Sequence, residues 1–201
     1  MRRGRKTEIM LVVLGIVLIA VPFYIHMKEE RRIQQYVEEF GKEEDEGKEN
    51  GSKGEDNPLF LEEDVIGIIE IPSLDLKYPI FEGTGTGQLN EGIGHMETTV
   101  PLCKKGNCVL AGHNGSRRGV YFTTLCNVEL GAVVRITNKE KEVHEYTIGE
   151  MRVVNPYDSW VTEEADTELL TLFTCAGHGT KRFAVKCVPI KDYNVEGGNA
   201  Q

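Results

Sequence analysis

A chain of 201 residues with 40% apolar content holds enough material for one packed domain and some accessory segments. Its 23 basic and 32 acidic residues give a formal charge of −9, and the first eight residues carry four basic side chains (Arg2, Arg3, Arg5, Lys6) against Glu8 alone, so the body is more acidic than the total. Such a body lacks the clustered Lys and Arg that a phosphate backbone requires, which excludes nucleic acid as a partner.

Ile9 to Ile25 reads IMLVVLGIVLIAVPFYI, seventeen uncharged residues, near the lower limit for a helix that crosses a bilayer. The basic residues just before it hold residues 1–8 in the cytoplasm and send the remainder outward. A cleaved signal peptide shares this pattern, but Val21-Pro22-Phe23-Tyr24 is too bulky for a small-x-small cleavage site, so residues 9–26 are read as a retained single-pass signal anchor. Beyond it, Ile33, Tyr36, Val37 and Phe40 fall at i, i+3, i+4 and i+7, the stripe of an amphipathic helix. That stripe fits a lid or pairing helix; the reading adopted is that the anchor helix continues and lays it on the bilayer surface or on the domain.

Gly41 to Asn57 contains no aliphatic or aromatic residue, and seven acidic, three basic and four glycine residues crowd there, so it cannot bury enough to order itself. Residues 27–57 are therefore a charged, partly flexible linker, and 58–201 the extracellular folded domain. From Pro58 the apolar runs are short, β-branched and cut by Gly, Pro, Asn or Asp. Val65–Ile71, Lys77–Phe81, Cys108–Ala111, Val133–Thr137, Glu145–Val154, Leu169–Thr174 and Phe183–Ile190 read as strands. Seven or eight such strands make a mainly β fold, a barrel or a sandwich, with short helical turns expected at Val120–Leu125 and Val161–Asp166. Gly83-Thr84-Gly85-Thr86-Gly87 has no amphipathic helix after it and reads as a hairpin or loop rather than a phosphate cradle. No dinucleotide, haem or flavin signature is present, and no organic cofactor is expected.

Leu169–Thr174 is nearly all apolar, as in a strand buried on both faces, and Cys175 stands where it ends, before Ala176-Gly177-His178-Gly179. His113 has a similar setting: it follows Val109-Leu110-Ala111 and Gly112 and enters the polar loop 114–119. Arg182 opens the next strand. A thiol is a strong nucleophile as thiolate, which a nearby cation favours, and acyl transfer needs donors for the developing oxyanion. Arg135 and Arg152 are rival guanidinium groups but lie in strands well before the cysteine. His178 and His95 are rival bases; His95 is read as a structural hydrogen-bonding group and His178 as a loop residue on the acyl-acceptor side.

Five cysteines leave an odd thiol. Cys103 and Cys108 flank a short turn suited to a disulfide outside the cell; zinc is disfavoured by the wide spacing and the lack of a second ligand pair, so no metal is assigned. Cys126 and Cys187 read as core or strand residues.

Thr171-Leu172-Phe173-Thr174-Cys175 resembles the TLxTC signature of sortases, the membrane-anchored cysteine transpeptidases of Gram-positive bacteria. Ile71-Pro72, Pro79-Ile80, Glu82-Gly83, Gly94-His95 and Phe122-Thr123-Thr124-Leu125 resemble family landmarks, so the similarity spans residues 65–188. The resemblance implies a closed eight-stranded sortase β-barrel in which Cys175 attacks the bond after Thr of an LPxTG-like sorting signal and forms a thioacyl enzyme. It gives His113 the acid/base or ion-pair role, Arg182 the oxyanion donor, and Thr174 and His178 auxiliary places. The implied partners are sorting-signal proteins and an amine acceptor, either a cell-wall precursor or a pilin lysine. Asn57-Pro58-Leu59-Phe60 only loosely resembles the Asp-Pro-aromatic lid of pilus-building members, so a lidless enzyme is expected, nearer classes C and D than class A, with class B open. No carboxylate cage for calcium stands out. Two other readings are another secreted cysteine enzyme, such as an endopeptidase or L,D-transpeptidase, and a tethered β-barrel binding module with Cys175 buried and inert.

Overall fold

The computed structural model describes residues 3–41, 64–115 and 121–191. The β-branched runs form eight strands: β1 (Val65–Ile71), β2 (Leu76–Glu82), β3 (Ile93–His95), β4 (Gly106–Ala111), β5 (Val133–Asn138), β6 (Val143–Val154), β7 (Glu168–Ala176) and β8 (Lys181–Pro189). They close as β1-β2-β3-β4-β7-β8-β6-β5, with β5 pairing back onto β1. Closure leaves no free sheet edge among these strands, which removes the unpaired backbone that an open sheet presents. β2 with β3 and β4 with β7 run parallel; the remaining neighbours are antiparallel.

Ile69, Ile80, Ile93, Leu110, Ile136, Ile148, Leu172 and Val185 are buried and form the core. Each such side chain contributes about 1.5–3 kcal/mol relative to exposure. β5 alternates between buried and half-buried positions, the period of a strand with one face inward. Every residue of β4 is buried, because a second layer covers its outer face. That layer is the β6–β7 connection, residues 155–167, whose Trp160 and Val161 pack on Val109, Val154, Phe173 and Ala184.

Two compact units divide the chain, Met1–Gln35 and Tyr36–Gln201. A single helix, α1 (Arg3–Gly41), passes through both. In the first unit the described apolar side chains from Met10 to Tyr24 are almost all exposed. Among the described residues, no helix is long and apolar enough to cross a membrane. In the second unit, the end of α1 carries the expected stripe onto the domain: Tyr36, Val37 and Phe40 pack on Val65, Ile68 and Phe81. Tyr36 meets Phe81 edge to face at 5.8 Å, and the Lys141 ammonium lies 3.8 Å from the Phe40 ring while donating to the Phe40 carbonyl. A cation at a helix C-terminus is also favoured by the helix dipole.

Four local expectations change. Within the Gly83–Gly87 run the chain enters a helix, α2 (Thr86–Glu91), whose six residues are too few to show a helical period in sequence. Ile93–His95 is a strand too short to recognise. Residues 161–166 are turn and extended backbone rather than helix, because the Val161 and Glu163 carbonyls bond to a barrel side chain instead of to each other's turn. The turn expected at Val120–Leu125 resolves into a 3-10 turn at Leu125–Asn127, with Val120 outside the described residues. The proposed tether, apart from Gly41, also lies outside them.

Candidate active site

The barrel register assembles the three candidate groups at one rim. β4 runs parallel to β7 with Ala111 opposite Phe173, and the chain continues through Gly112 to His113 at the barrel end where β7 reaches Cys175. The intervening turn is strapped on both sides. Gly112 N–H donates to the Phe173 carbonyl at 3.2 Å, and the Thr174 hydroxyl donates to the Gly112 carbonyl at 2.7 Å. A Cβ on Gly112 would lie 2.6 Å from Phe122 Cδ2 and 2.8 Å from Ile93 Cδ1, so only glycine lets the strand end approach this closely. Asn114 then reaches back, its amide donating to the Cys175 carbonyl at 2.6 Å. In the hairpin of β7 and β8, Cys175 stands directly opposite Arg182. Cys175, His113 and Arg182 are all half-buried, neither sealed nor fully in water.

Side-chain alternation along β7 explains the orientation of the cysteine. Phe173 and Cys175 share the outer face, while Leu172 and Thr174 point inward. Thr174, only 2% exposed, therefore holds the Gly112 turn from within. The β7–β8 turn passes through Gly177 (φ +53), His178 (φ +54) and Gly179 (φ +87). His178 is exposed at its tip. Arg182 Nη1 donates to the carbonyls of Gly179 (3.0 Å) and Lys181 (2.9 Å), which fixes one nitrogen of a five-donor fork.

The rival groups lie elsewhere. His95, 2% exposed in β3, places Nδ1 2.8 Å from Glu82 and Nε2 2.9 Å from the Val100 carbonyl, the structural bonding anticipated for it. Arg135 is paired with Glu145 and Glu70, whose hydrogen bonds push its guanidinium pKa further up. Arg152 is paired with Glu150 and stacks on Trp160.

Sequence reasoning missed Asn114 and Tyr121. Tyr121 packs between Tyr78 (5.2 Å between ring centroids) and His113 (6.3 Å), with its hydroxyl donating to the Asn90 carbonyl. The one available signal was the position of Asn114 directly after His113. Also unforeseen is a cleft of about 270 Å³ beside Arg182, lined by Met96, Pro156, Tyr157, Val161 and Phe173 among others. Asp158 and Thr162 complete its lining, so an apolar wall carries one cation and one carboxylate.

All five cysteines are free thiols, so Cys103 and Cys108 are not joined. Burial pushes the Cys103 thiol up to about 11 and raises those of Cys108 and Cys187 as well. Cys187 is buried in β8 as expected. Cys126, by contrast, is exposed in the 3-10 turn and is not a core residue, because that turn buries Leu125 instead. Among the described residues no group of three or more His, Cys, Asp or Glu side chains is placed to hold a metal ion.

A β-barrel of this closure, with a half-buried cysteine opposite an arginine at a strand end that Asn114, next to His113, reaches by hydrogen bond, has the groups that thiol acyl transfer requires. The chain belongs to the sortase family: its residues 69–190 match the Sortase domain. Over 191 residues it is 31% identical to sortase A of Bacillus anthracis, spanning 88% of this chain and 90% of that one. Sortase A of Staphylococcus aureus is 30% identical over 190 residues, 87% of this chain and 90% of that protein. The solved structure of a Clostridium perfringens sortase D5 transpeptidase superposes with a TM-score of 0.61 at 27% identity, covering 81% of this chain and 98% of that structure. The protein is accordingly a cysteine transpeptidase that cleaves a sorting signal and transfers its acyl part to an amine.

Proposed function

We propose that Cys175 is the nucleophile, His113 the proton carrier and Arg182 the oxyanion donor. The direct pairing of Cys175 with Arg182 across β7 and β8 carries this reading, supported by the parallel β4 strand that leads to His113 and by the Asn114 amide bond to the Cys175 carbonyl. The Cys175 thiolate attacks the scissile carbonyl, the C–S bond forms, and the oxygen gathers charge that the guanidinium receives. As the C–N bond breaks, protonated His113 gives its proton to the departing amine. The acceptor amine then attacks the thioester, loses a proton to neutral His113 and displaces the thiolate. Thr174 acts from inside by holding the Gly112 turn, and His178 stands at the tip of the turn beside the site, on the acceptor side.

The substrate is an LPxTG-like sorting signal cut after Thr, with its apolar residues seated in the cleft next to Arg182. The acceptor is a cell-wall precursor or a pilin lysine. A lidless enzyme nearer classes C and D is favoured by the span of the sortase D5 match, although the curated relatives at greatest coverage carry the sortase A name. The uncharged run Ile9–Ile25 behind four basic residues is a single-pass anchor, with the N-terminus cytoplasmic and the domain outside. The exposed Leu18, Ile19 and Phe23 of α1 are suited to lipid.

Incubating the full-length protein with sorting-signal peptides and weighing it intact tests the roles. A thioester adduct on Cys175 is expected, absent in Cys175→Ala and most reduced by His113→Ala among the three variants His113→Ala, His178→Ala and His95→Ala. An adduct that survives Cys175→Ala refutes the assignment.

A further inference from the structure

We infer that Asn107, through the hydroxyl of Thr171, is a positioning residue that holds the wall of the peptide cleft in place. This rests on the assignment of that cleft to the sorting signal. Asn107 lies on β4, 5% exposed, and its single amide spans two layers. The Nδ2 group donates to the carbonyls of Val161 (3.0 Å) and Glu163 (2.9 Å), both on the 155–167 cover, while Oδ1 accepts from the Thr171 hydroxyl (2.7 Å). An amide has two N–H donors and one carbonyl, and the Thr171 bond fixes which end faces the cover. The first threonine of the TLxTC run thus orients another side chain and is remote from the chemistry.

Val161 is the point where this matters. Its carbonyl is held by Asn107, while its side chain lines the cleft and packs with Phe173 and Met96. The same cover is held a second time, further along the outer face. Lys186, opposite Thr171 in the β7–β8 register, donates to Glu163 at 2.7 Å and lies 4.6 Å from the centroid of the Trp160 ring, which also carries Arg152. The pin is buried, whereas the ion pair leaves its Glu163 carboxylate in water, so the amide is the stronger hold. Releasing it loosens the cleft wall and leaves the Cys175–Arg182 pairing, which the β7–β8 ladder sets, untouched.

The test uses the full-length protein in detergent, with peptide kinetics and site-resolved alkylation of Cys175 by iodoacetamide. Asn107→Asp keeps the shape but replaces both donors by acceptors facing two carbonyls. The expected result is a KM for peptide raised about tenfold or more, kcat within about threefold, and a Cys175 alkylation rate within about twofold. Thr171→Val is expected to raise KM about threefold, and Thr171→Ser, which keeps the hydroxyl, to restore it. Unchanged KM in a folded Asn107→Asp protein overturns the inference, as does a parallel loss of kcat and alkylation or a Thr171→Ser protein no better than Thr171→Val. If Asn107→Asp does not fold, the Thr171 pair gives the same decision. A wild-type protein that alkylates at Cys175 yet is acylated by no sorting-signal peptide overturns the functional reading and this inference with it.

Discussion

At Arg182 the geometry asks for more than positive charge. One nitrogen of the guanidinium is committed to the carbonyls of Gly179 and Lys181, which leaves the other donors of the planar fork for the proposed oxyanion role on the strand opposite Cys175. Lysine presents a point charge on a flexible stem and cannot both anchor and aim. Arg182→Lys is therefore expected to lower kcat/KM by roughly 10²-fold or more, the size of effect seen when an oxyanion donor is lost. Its melting temperature should stay within a degree or two of wild type, measured on the same preparation; near-normal turnover would remove the oriented-donor role. Thiol chemistry separates the five cysteines in a different way. Near neutral pH, iodoacetamide should label Cys175 and the exposed Cys126, while Cys108 and Cys187, raised by burial, stay unlabelled. Cys103 is raised to about 11, so its neutral form dominates through neutral and mildly basic pH and its labelling should appear only as pH climbs toward that value. Peptide mapping after labelling at a series of pH values checks this, and early modification of Cys103 would contradict it. The sequence order of Cys175, His113 and Arg182 was readable because each ends or begins a β-branched run beside glycine. The inward turn of Thr174 and the bonds of Asn114 and Asn107 were not, because they depend on which face of a strand meets which neighbour.

Among the elements, the end of α1 is the one whose membership in the domain is least obvious from the chain order. An acidic, glycine-rich stretch separates it from β1, yet Tyr36 and Phe40 are buried against Val65, Ile68 and Phe81. The helical stripe was visible as a 3.6-residue period, and its packing on the barrel follows from the apolar outer positions of β1 and β2 that would otherwise face water. The strands were legible for a similar reason, since β-branched runs between glycine and proline leave little choice. The pairing order was not, because β4 and β7 are parallel with β5 and β6 between them in the chain, and the parallel β2–β3 pair is joined through α2, itself too short to read. Short elements such as α2 and β3 fall below the length at which a period can be counted. Burying Phe40 is worth about 2 kcal/mol, within the range for an aromatic removed from water. A protein spanning 36–201 should thus melt several degrees above one spanning 58–201, at the usual few degrees per kcal/mol for a domain of this size. Phe40→Ala in the longer version should remove most of that gain. Equal melting temperatures for the two spans would mean that the helix end adds nothing to the domain.

On the scale of the whole molecule, charge and apolarity are segregated along the chain. Four of the 23 basic residues and one of the 32 acidic residues precede the apolar run of α1, so the segment before it is basic and the body after it acidic. An acidic body is repelled by an anionic bilayer surface, so the proposed attachment rests on the apolar run. Burying seventeen uncharged residues in hydrocarbon far exceeds what surface adsorption of an acidic protein supplies. Two outcomes follow for the protein in a Gram-positive host. The full chain should stay in the membrane pellet through high-salt and alkaline washes that strip peripheral proteins, whereas a protein beginning at Tyr36 should be recovered in the soluble fraction. Protease added to intact protoplasts should digest the domain and spare a tag placed before Arg2, as the proposed cytoplasmic placement of the basic N-terminus requires. Release of the full chain by salt, or digestion of that tag in intact protoplasts, would rule out a single-pass anchor with the catalytic barrel outside.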